Sequence, residues 1–191
     1  MLRSYKSIVP LLLGCALACG RAATHVDGSV NGIHLDAKDS AAERFTIASG
    51  TPGQFQRGVA IRIDSAPAVC TRMQQGRPTS ADNPYLFLVV VGIPGSSDDV
   101  FTGPHDVVLK DQSFDVRGAS AAFVAHDSVC VDRTAGYVAA GQIFIESISA
   151  TTVKGDFNLY FINGGSVDHL TGAFEAPVCT DTKPSDPICQ T

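Results

Sequence analysis

Short runs of alternating hydrophobic and polar residues dominate this chain after residue 24, and the spacing of amphipathic helices is almost absent. Alternation with a period of two is typical of β-strands that bury one face. Gly, Asn, Asp and Pro, the residues that favour turns, separate the runs. We therefore expect an all-β domain, built as an antiparallel sandwich or an open barrel. The pattern predicts strands over residues 25–30, 33–35, 59–63, 85–91, 107–110, 120–125, 138–148, 152–162 and 167–176.

The last third of the chain carries the clearest alternation. Hydrophobic and polar residues alternate over 153–161, and a turn at 163–166 leads into a return strand. Both strands contain a Gly-x-Phe unit, at residues 155–157 and 172–174. Because residues two apart lie on the same face of a strand, each phenylalanine is expected to cover the glycine of its own unit. We interpret this hairpin as part of the core.

Two other segments have distinctive patterns. Residues 85–91, with the sequence YLFLVVV, do not alternate, and this predicts a strand that is buried on both faces. The Asn31-Gly32 pair lies between the predicted strands at residues 25–30 and 33–35 and is the strongest short signal for a β-hairpin. We therefore expect a tight hairpin near the start of the domain.

Two short helices are also predicted. Ser65 is a candidate N-cap for a helix over residues 66–75, with Pro67 in the first turn and Gly76 as the C-terminal stop. Residues 38–44 are interpreted as one further helical turn. Both elements are minor additions to a β-domain.

The first 18 residues have the organisation of a signal peptide. Arg3 and Lys6 provide a basic start, and residues 8–18 form an uncharged run of 11 residues. A membrane-spanning helix needs about 20 apolar residues, so this run is too short to be one. The segment therefore predicts export.

The end of this segment resembles a bacterial lipobox, in which small residues precede a cysteine that receives a lipid. Residues 16–19 (ALAC) fit this pattern and predict Cys19 as the lipidated N-terminus. Cys15 is a competing anchor, but Leu13 is bulky for a lipobox, and that cleavage leaves an odd number of cysteines. Ordinary signal peptidase cleavage after Ala-Leu-Ala would instead give a secreted protein. Gly20 is not the Asp that marks inner-membrane retention, so we expect a lipid-anchored outer-membrane protein facing the periplasm or the exterior.

Composition and charge limit the classes of partner that are expected for the exported chain. The sequence is 45% hydrophobic and 17% charged, which argues against intrinsic disorder. Loss of Arg3 and Lys6 with the signal peptide changes the formal net charge from -5 to -7. Nucleic acid is not expected as a partner, because phosphate binding needs a basic surface. The expected partners are the membrane, through the lipid, and an envelope protein or a glycan.

These features divide the 191 residues into four parts. They are a lipoprotein signal peptide (1–18), a lipidated N-terminus with a short tether (19–24), an all-β domain (25–179) and a C-terminal tail closed by a disulfide (180–191).

Four cysteines remain after the lipidated one. They are Cys70, Cys130, Cys179 and Cys189. Their spacing matches no zinc module, and an even number in an exported protein indicates two disulfides. The favoured pairing joins Cys70 to Cys130 and Cys179 to Cys189, because a local bridge would fix a Pro-containing tail that cannot fold by itself. The competing pairings join Cys70 to Cys179 or to Cys189.

The sequence contains no catalytic or metal-binding motif. The five histidines lie singly, no G-x-S-x-G unit is present, and Asp98 and Asp99 lack the spacing of a calcium loop. No catalytic residue, metal or cofactor is therefore assigned, and a non-enzymatic binding or structural role is expected. The alternative is a hydrolase or carbohydrate-active module with its site in the loops around residues 96–106. A pocket that joins His105 or His126 to these aspartates would favour that alternative.

Phe144 and Tyr160 form the candidate recognition surface. Phe144 alternates with Ile143 and Ile145, and Tyr160 alternates with apolar neighbours in the same way. Both aromatic side chains are therefore expected on the outer faces of their strands. Exposed aromatic rings on a sheet can stack on sugars or peptides.

Several segments, in this order, resemble a known group of proteins. The segments are VDGSVNG, LDAKDS, IDSAPAVC, FVAHDSVC, GQIFIESIS, VKGDFNLYF and HLTGAFEAPVC, within residues 26–179. The chain is similar to small, uncharacterised, lipid-anchored, β-rich exported proteins of Gram-negative bacteria. This resemblance implies an architecture and a cellular address. It implies no catalytic residue.

Overall fold

The computed structural model describes residues 24–48, 52–76, 83–93, 95–96, 102–107, 118–126, 132–163 and 165–183. These residues form nine β-strands and one short α-helix, α1 (Val69–Gln75), and the expected all-β, disulfide-linked architecture is confirmed. The strands are β1 (His25–Gly28), β2 (Asp39–Ala48), β3 (Phe55–Asp64), β4 (Tyr85–Val91), β5 (Gly103–Asp106), β6 (Gly118–His126), β7 (Asp132–Ile148), β8 (Thr152–Asn163) and β9 (Ser166–Pro177).

The strands form two antiparallel sheets that share strand β7. The front sheet has the order β1-β9-β8-β7-β5, and the back sheet has the order β7-β6-β4-β3-β2. The first part of β7 pairs with β6, and the part from Val138 onward pairs with β8, with a register shift next to Val138. Such a shift bends a strand and lets it pass from one sheet to the other. At the opposite corner, Ala42 of β2 forms a bridge with Val178, directly after β9.

The hydrophobic core fills the space between the two sheets. Each sheet points its alternate side chains inward, as the sequence pattern predicts. The rings of Phe123 and Phe161 meet edge to face across the core, with centroids 6.4 Å apart. The largest buried apolar side chains are Ile61, Ile63, Leu86, Leu88, Phe123, Ile143, Ile145, Leu159, Phe161 and Leu170.

The Gly-x-Phe units of β8 and β9 cover each other across the hairpin. Gly155 lies opposite Phe174, and Phe157 lies opposite Gly172. The Phe174 ring is 2.8 Å from the position that a Cβ atom on Gly155 would take, and the Phe157 ring is 2.6 Å from that of Gly172. The expectation that each phenylalanine covers its own glycine is therefore wrong. Directly opposed residues have Cβ atoms about 5 Å apart, closer than residues two apart along one strand.

Two assignments of segments from the sequence are wrong. Residues 38–44 lie mostly in β2 and are not helical, because continuous pairing with β3 satisfies their backbone and outweighs a weak helical preference. Strand β4, expected to be buried on both faces, buries Leu86 and Leu88 but leaves Phe87 37% exposed on the other face. An antiparallel sheet needs only one covered face.

The helix ends where the sequence predicts but begins later. Gly76 is the C-cap, with a φ of 66° in the left-handed region. The predicted N-cap, Ser65, does not cap the helix, which begins after Ala68. The backbone N–H of Val69 donates to the Asp39 carboxylate at 2.9 Å, so the cap comes from strand β2. Residue spacing along the chain does not reveal a cap from a distant strand.

The predicted turn at Asn31-Gly32 is present, but no long hairpin follows. Both residues have positive φ, 51° and 73°, as a type I′ turn requires. Only the adjoining pair, Val30 and Ile33, is bridged. Strand β1 pairs with β9 instead, and the Asp168 carboxylate accepts from the Asn31 N–H at 2.9 Å.

A disulfide joins Cys70 of α1 to Cys179, with Cα atoms 5.6 Å apart. The favoured pairing of Cys70 with Cys130 and of Cys179 with Cys189 is therefore wrong, and one of the competing pairings is correct. The physical reason is the corner between β2 and β9, where the N–H of Cys179 donates to the Ala42 carbonyl at 2.8 Å and lies beside α1. Cys130 and Cys189 lie outside the described residues.

Candidate functional site

The outer surface of the front sheet includes three adjacent rows of side chains, which lie between the Lys154–Glu175 pair on one side and the Ile162–Val167 pair on the other. Register between β7, β8 and β9 sets the rows, because directly opposed residues point to the same side. One row contains Phe144, the middle row is polar, and the last row contains Tyr160. We call this surface the outer front face, and its members are Phe144, Asp156, Asp106, Gln142, Asn158, Thr171, Ala140, Tyr160 and His169.

Tyr160 and His169 form a stacked pair in the last row. Their ring centroids are 4.5 Å apart and the rings are almost parallel, with an interplanar angle of 8°. The Nε2–H of His169 donates to Oδ1 of Asn158 in the middle row, at 2.7 Å. The two interactions fix both the histidine ring and the asparagine amide. Tyr160 itself remains 38% exposed, so the row is accessible.

The middle row presents amide groups at fixed positions. The Nε2 group of Gln142 donates to Oδ1 of Asp106 at 2.9 Å, which joins strand β7 to β5. Among the described residues, Oε1 of Gln142 and Nδ2 of Asn158 have no partner. One amide thus offers an acceptor to a ligand, and the other offers a donor.

Phe144 and Asp156 lie opposite each other in the first row. Phe144 is 37% exposed, whereas its neighbours Ile143 and Ile145 are fully buried. The Asp156 side chain is exposed, but its carboxyl is partly desolvated, which raises its pKa above the ordinary value, and the negative charge of Glu146 raises the pKa further. This end of the outer front face therefore combines an aromatic ring with two acidic side chains.

The residues expected of a loop-sited hydrolase are not brought together in the described part of the chain. His105 is 1% exposed and points into the core, whereas His126 lies at the end of β6 near the ring of Tyr85, 6.1 Å between centroids. Asp98 and Asp99 lie outside the described residues. A shallow cleft of about 440 Å³ beside Ser96 includes neither histidine. Its lining residues are Thr46, Gly53, Gln54, Phe55, Arg57, Gly95 and Ser96.

An ionic cluster on the other sheet is structural. Oδ2 of Asp64 accepts from Nε of Arg62 at 3.0 Å and from Arg72 of α1 at 2.9 Å, and Oδ1 accepts from the Ala66 N–H at 2.9 Å. The Arg62 guanidinium also lies 3.9 Å above the Tyr85 ring. The Asp64 side chain is fully buried, so these contacts fasten α1 to the back sheet.

The structure describes the last residue of the predicted tether, but not the predicted lipidation site. Cys19 lies outside the described residues, which begin at Thr24. The Thr24 hydroxyl lies 2.9 Å from that of Ser40 and accepts from the Glu175 N–H at 3.3 Å. Glu175 and His169 are six residues apart on β9, which corresponds to about 20 Å. The chain therefore enters the domain well away from the stacked pair.

Metal-ligating clusters and long apolar helices are two further features that bear on function. In the described part of the chain, no group of three or more His, Cys, Asp or Glu side chains is arranged to hold a metal ion. None of the helices described there has the length and apolar character needed to cross a membrane. No protein-family model, curated protein or solved structure matches this chain.

The sequence singled out Phe144 and Tyr160 but missed their polar neighbours. The structure brings Gln142, Asn158 and His169 onto the same face as the two aromatic residues. Each of the three is an outward position in an alternating strand, which was the available signal. Their common location depends on the register between strands, which the local pattern does not specify.

Proposed function

We propose that this protein is a lipid-anchored, non-enzymatic module of the Gram-negative cell envelope that binds an envelope component through its outer front face. The observation that carries this proposal is the stacked Tyr160–His169 pair with its bonded Asn158, held rigid on an exposed surface. Amides and exposed rings that are fixed before binding reduce the entropy that a ligand must overcome. Phe144, at the other end of the same face, extends the surface.

The cellular address in this proposal is supported by the N-terminal sequence. The basic start, the short apolar run and the ALAC tetrapeptide favour lipidation at Cys19 and location in the outer membrane. The entry of the chain beside Glu175 is compatible with this address, because the tether would leave the stacked pair about 20 Å away and accessible. Secretion without a lipid is the alternative outcome.

Intact mass spectrometry of the full chain, produced in a Gram-negative host and purified in detergent, tests the address. We expect a mature N-terminus at Cys19 that carries acyl mass, and a gain of about four hydrogens on reduction, as two disulfides require. An unmodified mature N-terminus would contradict the lipid anchor. A start at Cys15 would move the anchor to that residue and contradict the assignment of Cys19.

Cosedimentation with envelopes isolated from the protein's own source cells tests the binding face. The Cys19→Ser variant of the full chain is used throughout, because it removes sedimentation caused by the lipid. We expect added Tyr160→Ala or Phe144→Ala changes to lower the bound fraction. Phe87→Ala is the matched control, since Phe87 is also 37% exposed but lies on the back sheet.

Two results would contradict the binding proposal. One is that Phe87→Ala impairs sedimentation as much as the changes on the front sheet. The other is that the envelopes release soluble fragments while the protein is present, which would favour the hydrolase alternative.

A further inference from the structure

We propose that the ligand of the outer front face is an uncharged glycan chain of more than one sugar unit. This inference rests on the proposed function and specifies the partner of the same surface.

The side chains of the face match the chemistry of a sugar. A sugar ring has apolar C–H surfaces that contact aromatic rings, and its hydroxyl groups both donate and accept hydrogen bonds. Phe144 and Tyr160 supply the rings. The Gln142 carbonyl and the Asn158 amino group, both without a described protein partner, supply an acceptor and a donor between them. A bound peptide strand would instead need unpaired backbone groups, and here β8 is paired on both sides.

The charge of the face excludes acidic ligands. Asp106, Asp156 and Glu146 are exposed, whereas Lys154 on β8 lies 3.2 Å from Glu175 in an ion pair. An anionic glycan, a phosphate group or an acidic lipid surface would meet like charge, which costs free energy. Carboxylates accept hydrogen bonds from the hydroxyl groups of a neutral sugar without that cost.

The spacing of the aromatic rings requires a chain rather than a single sugar. Phe144 is opposite Asp156, four residues from Tyr160 on β8, so the two aromatic positions are about 14 Å apart. One sugar ring is too small to contact both. We therefore expect both aromatic residues to contribute to binding of the same ligand.

Chemical treatment of the envelopes tests this inference before the sugar itself is identified. Source-cell envelopes are treated either with periodate, which cleaves the vicinal diols of sugars, or with a protease, and are then sedimented with the Cys19→Ser chain. We expect periodate to abolish binding and protease to leave it unchanged. Binding to untreated envelopes should also change little between low and high salt, because an uncharged ligand releases no counterions.

A single-tryptophan reporter measures the affinity directly. The sequence has no Trp, so Phe144→Trp introduces one fluorophore into the outer front face. Glycan fragments released from the envelopes should shift its emission. Tyr160→Ala should weaken their binding by about tenfold, and Phe87→Ala should not.

Different results would overturn the uncharged glycan and the binding face. Binding that is destroyed by protease or by salt, but still depends on Tyr160, would overturn the uncharged glycan and leave the binding face in place. Binding that does not depend on Tyr160 or Phe144 would overturn both. Abolition by periodate together with loss in Tyr160→Ala supports both.

Discussion

The outer faces of the two sheets differ in whether a helix covers them. The back sheet is covered near Asp64 by α1, which an ionic cluster and the Cys70–Cys179 disulfide fasten in place. The front sheet carries no helix among the described residues, and its outer positions are aromatic and polar. One face therefore adds to the stability of the domain. The other is open to a ligand.

Residue chemistry explains why the two faces differ. Val69 of α1 packs with Ala41 and Cys179 in a small apolar cluster that must be shielded from water. On the outer front face, Gln142 and Asn158 can remain hydrated, so no cover is required. Changes on the covered face should therefore alter stability, and changes on the open face should alter binding.

Loss of the Asp64 carboxylate should have the largest effect. Asp64→Ala leaves two arginines without their buried partner, which should lower the free energy of unfolding by about 3–5 kcal/mol. Urea denaturation measures this change. Asp27→Ala is the control, because that side chain is 78% exposed in a surface pair with His25 and should change stability by less than about 1 kcal/mol. Equal effects of the two variants would mean that the cover is not held by the ionic cluster.

Removal of the disulfide should have the next largest effect. The double variant Cys70→Ala/Cys179→Ala opens a loop whose ends are 109 residues apart in sequence, and should lower the free energy of unfolding by about 2–4 kcal/mol. Sedimentation with envelopes, measured below the melting temperature, should not change. If the folded variant binds envelopes more weakly than the parent chain, the separation between a stabilising face and a binding face is wrong.

Loss of the His169 ring on the open face should have a smaller effect on stability. His169→Ala removes the ring stacked on Tyr160 and should cost less than about 1.5 kcal/mol, while lowering envelope binding several-fold. His169→Phe keeps a ring for stacking but loses the bond to Asn158. Partial recovery of binding in this variant would show that stacking positions Tyr160, and no loss in His169→Ala would remove His169 from the site.

The smallest effect on stability is expected when the carboxyl of Asp156, whose pKa is raised, is replaced by an amide. Because the folded protein binds this proton more tightly than the unfolded chain, stability falls as the pH rises through the pKa. Asp156→Asn should therefore raise Tm at pH 7 by about 1 °C, since the site is exposed and screened. The difference should disappear well below pH 3.8, the ordinary pKa, where both side chains are neutral. Thermal melts over this pH range test it, and a lower Tm for the variant at pH 7 would contradict the sign.

Local sequence patterns predicted the positions of the strands better than the contacts that the strands make with distant parts of the chain. Alternation located β8 and β9 closely, because burial of one face acts on every second residue. The helix cap from Asp39, the cover of Gly155 by Phe174 and the Cys70–Cys179 bridge all join residues far apart in sequence. The same limit applies to the outer front face, where exposure of Tyr160 followed from alternation but its contact with His169 required the register.

A chemical-shift map of the Cys19→Ser chain with glycan fragments released from source-cell envelopes shows directly which face of the domain binds the glycan. If the outer front face binds it, backbone amide signals change around Gln142, Phe144, Asn158, Tyr160 and His169, and stay unchanged around Arg62 and Phe87 on the back sheet. Changes confined to the back sheet or to the loop around Ser96 would show that the glycan binds elsewhere.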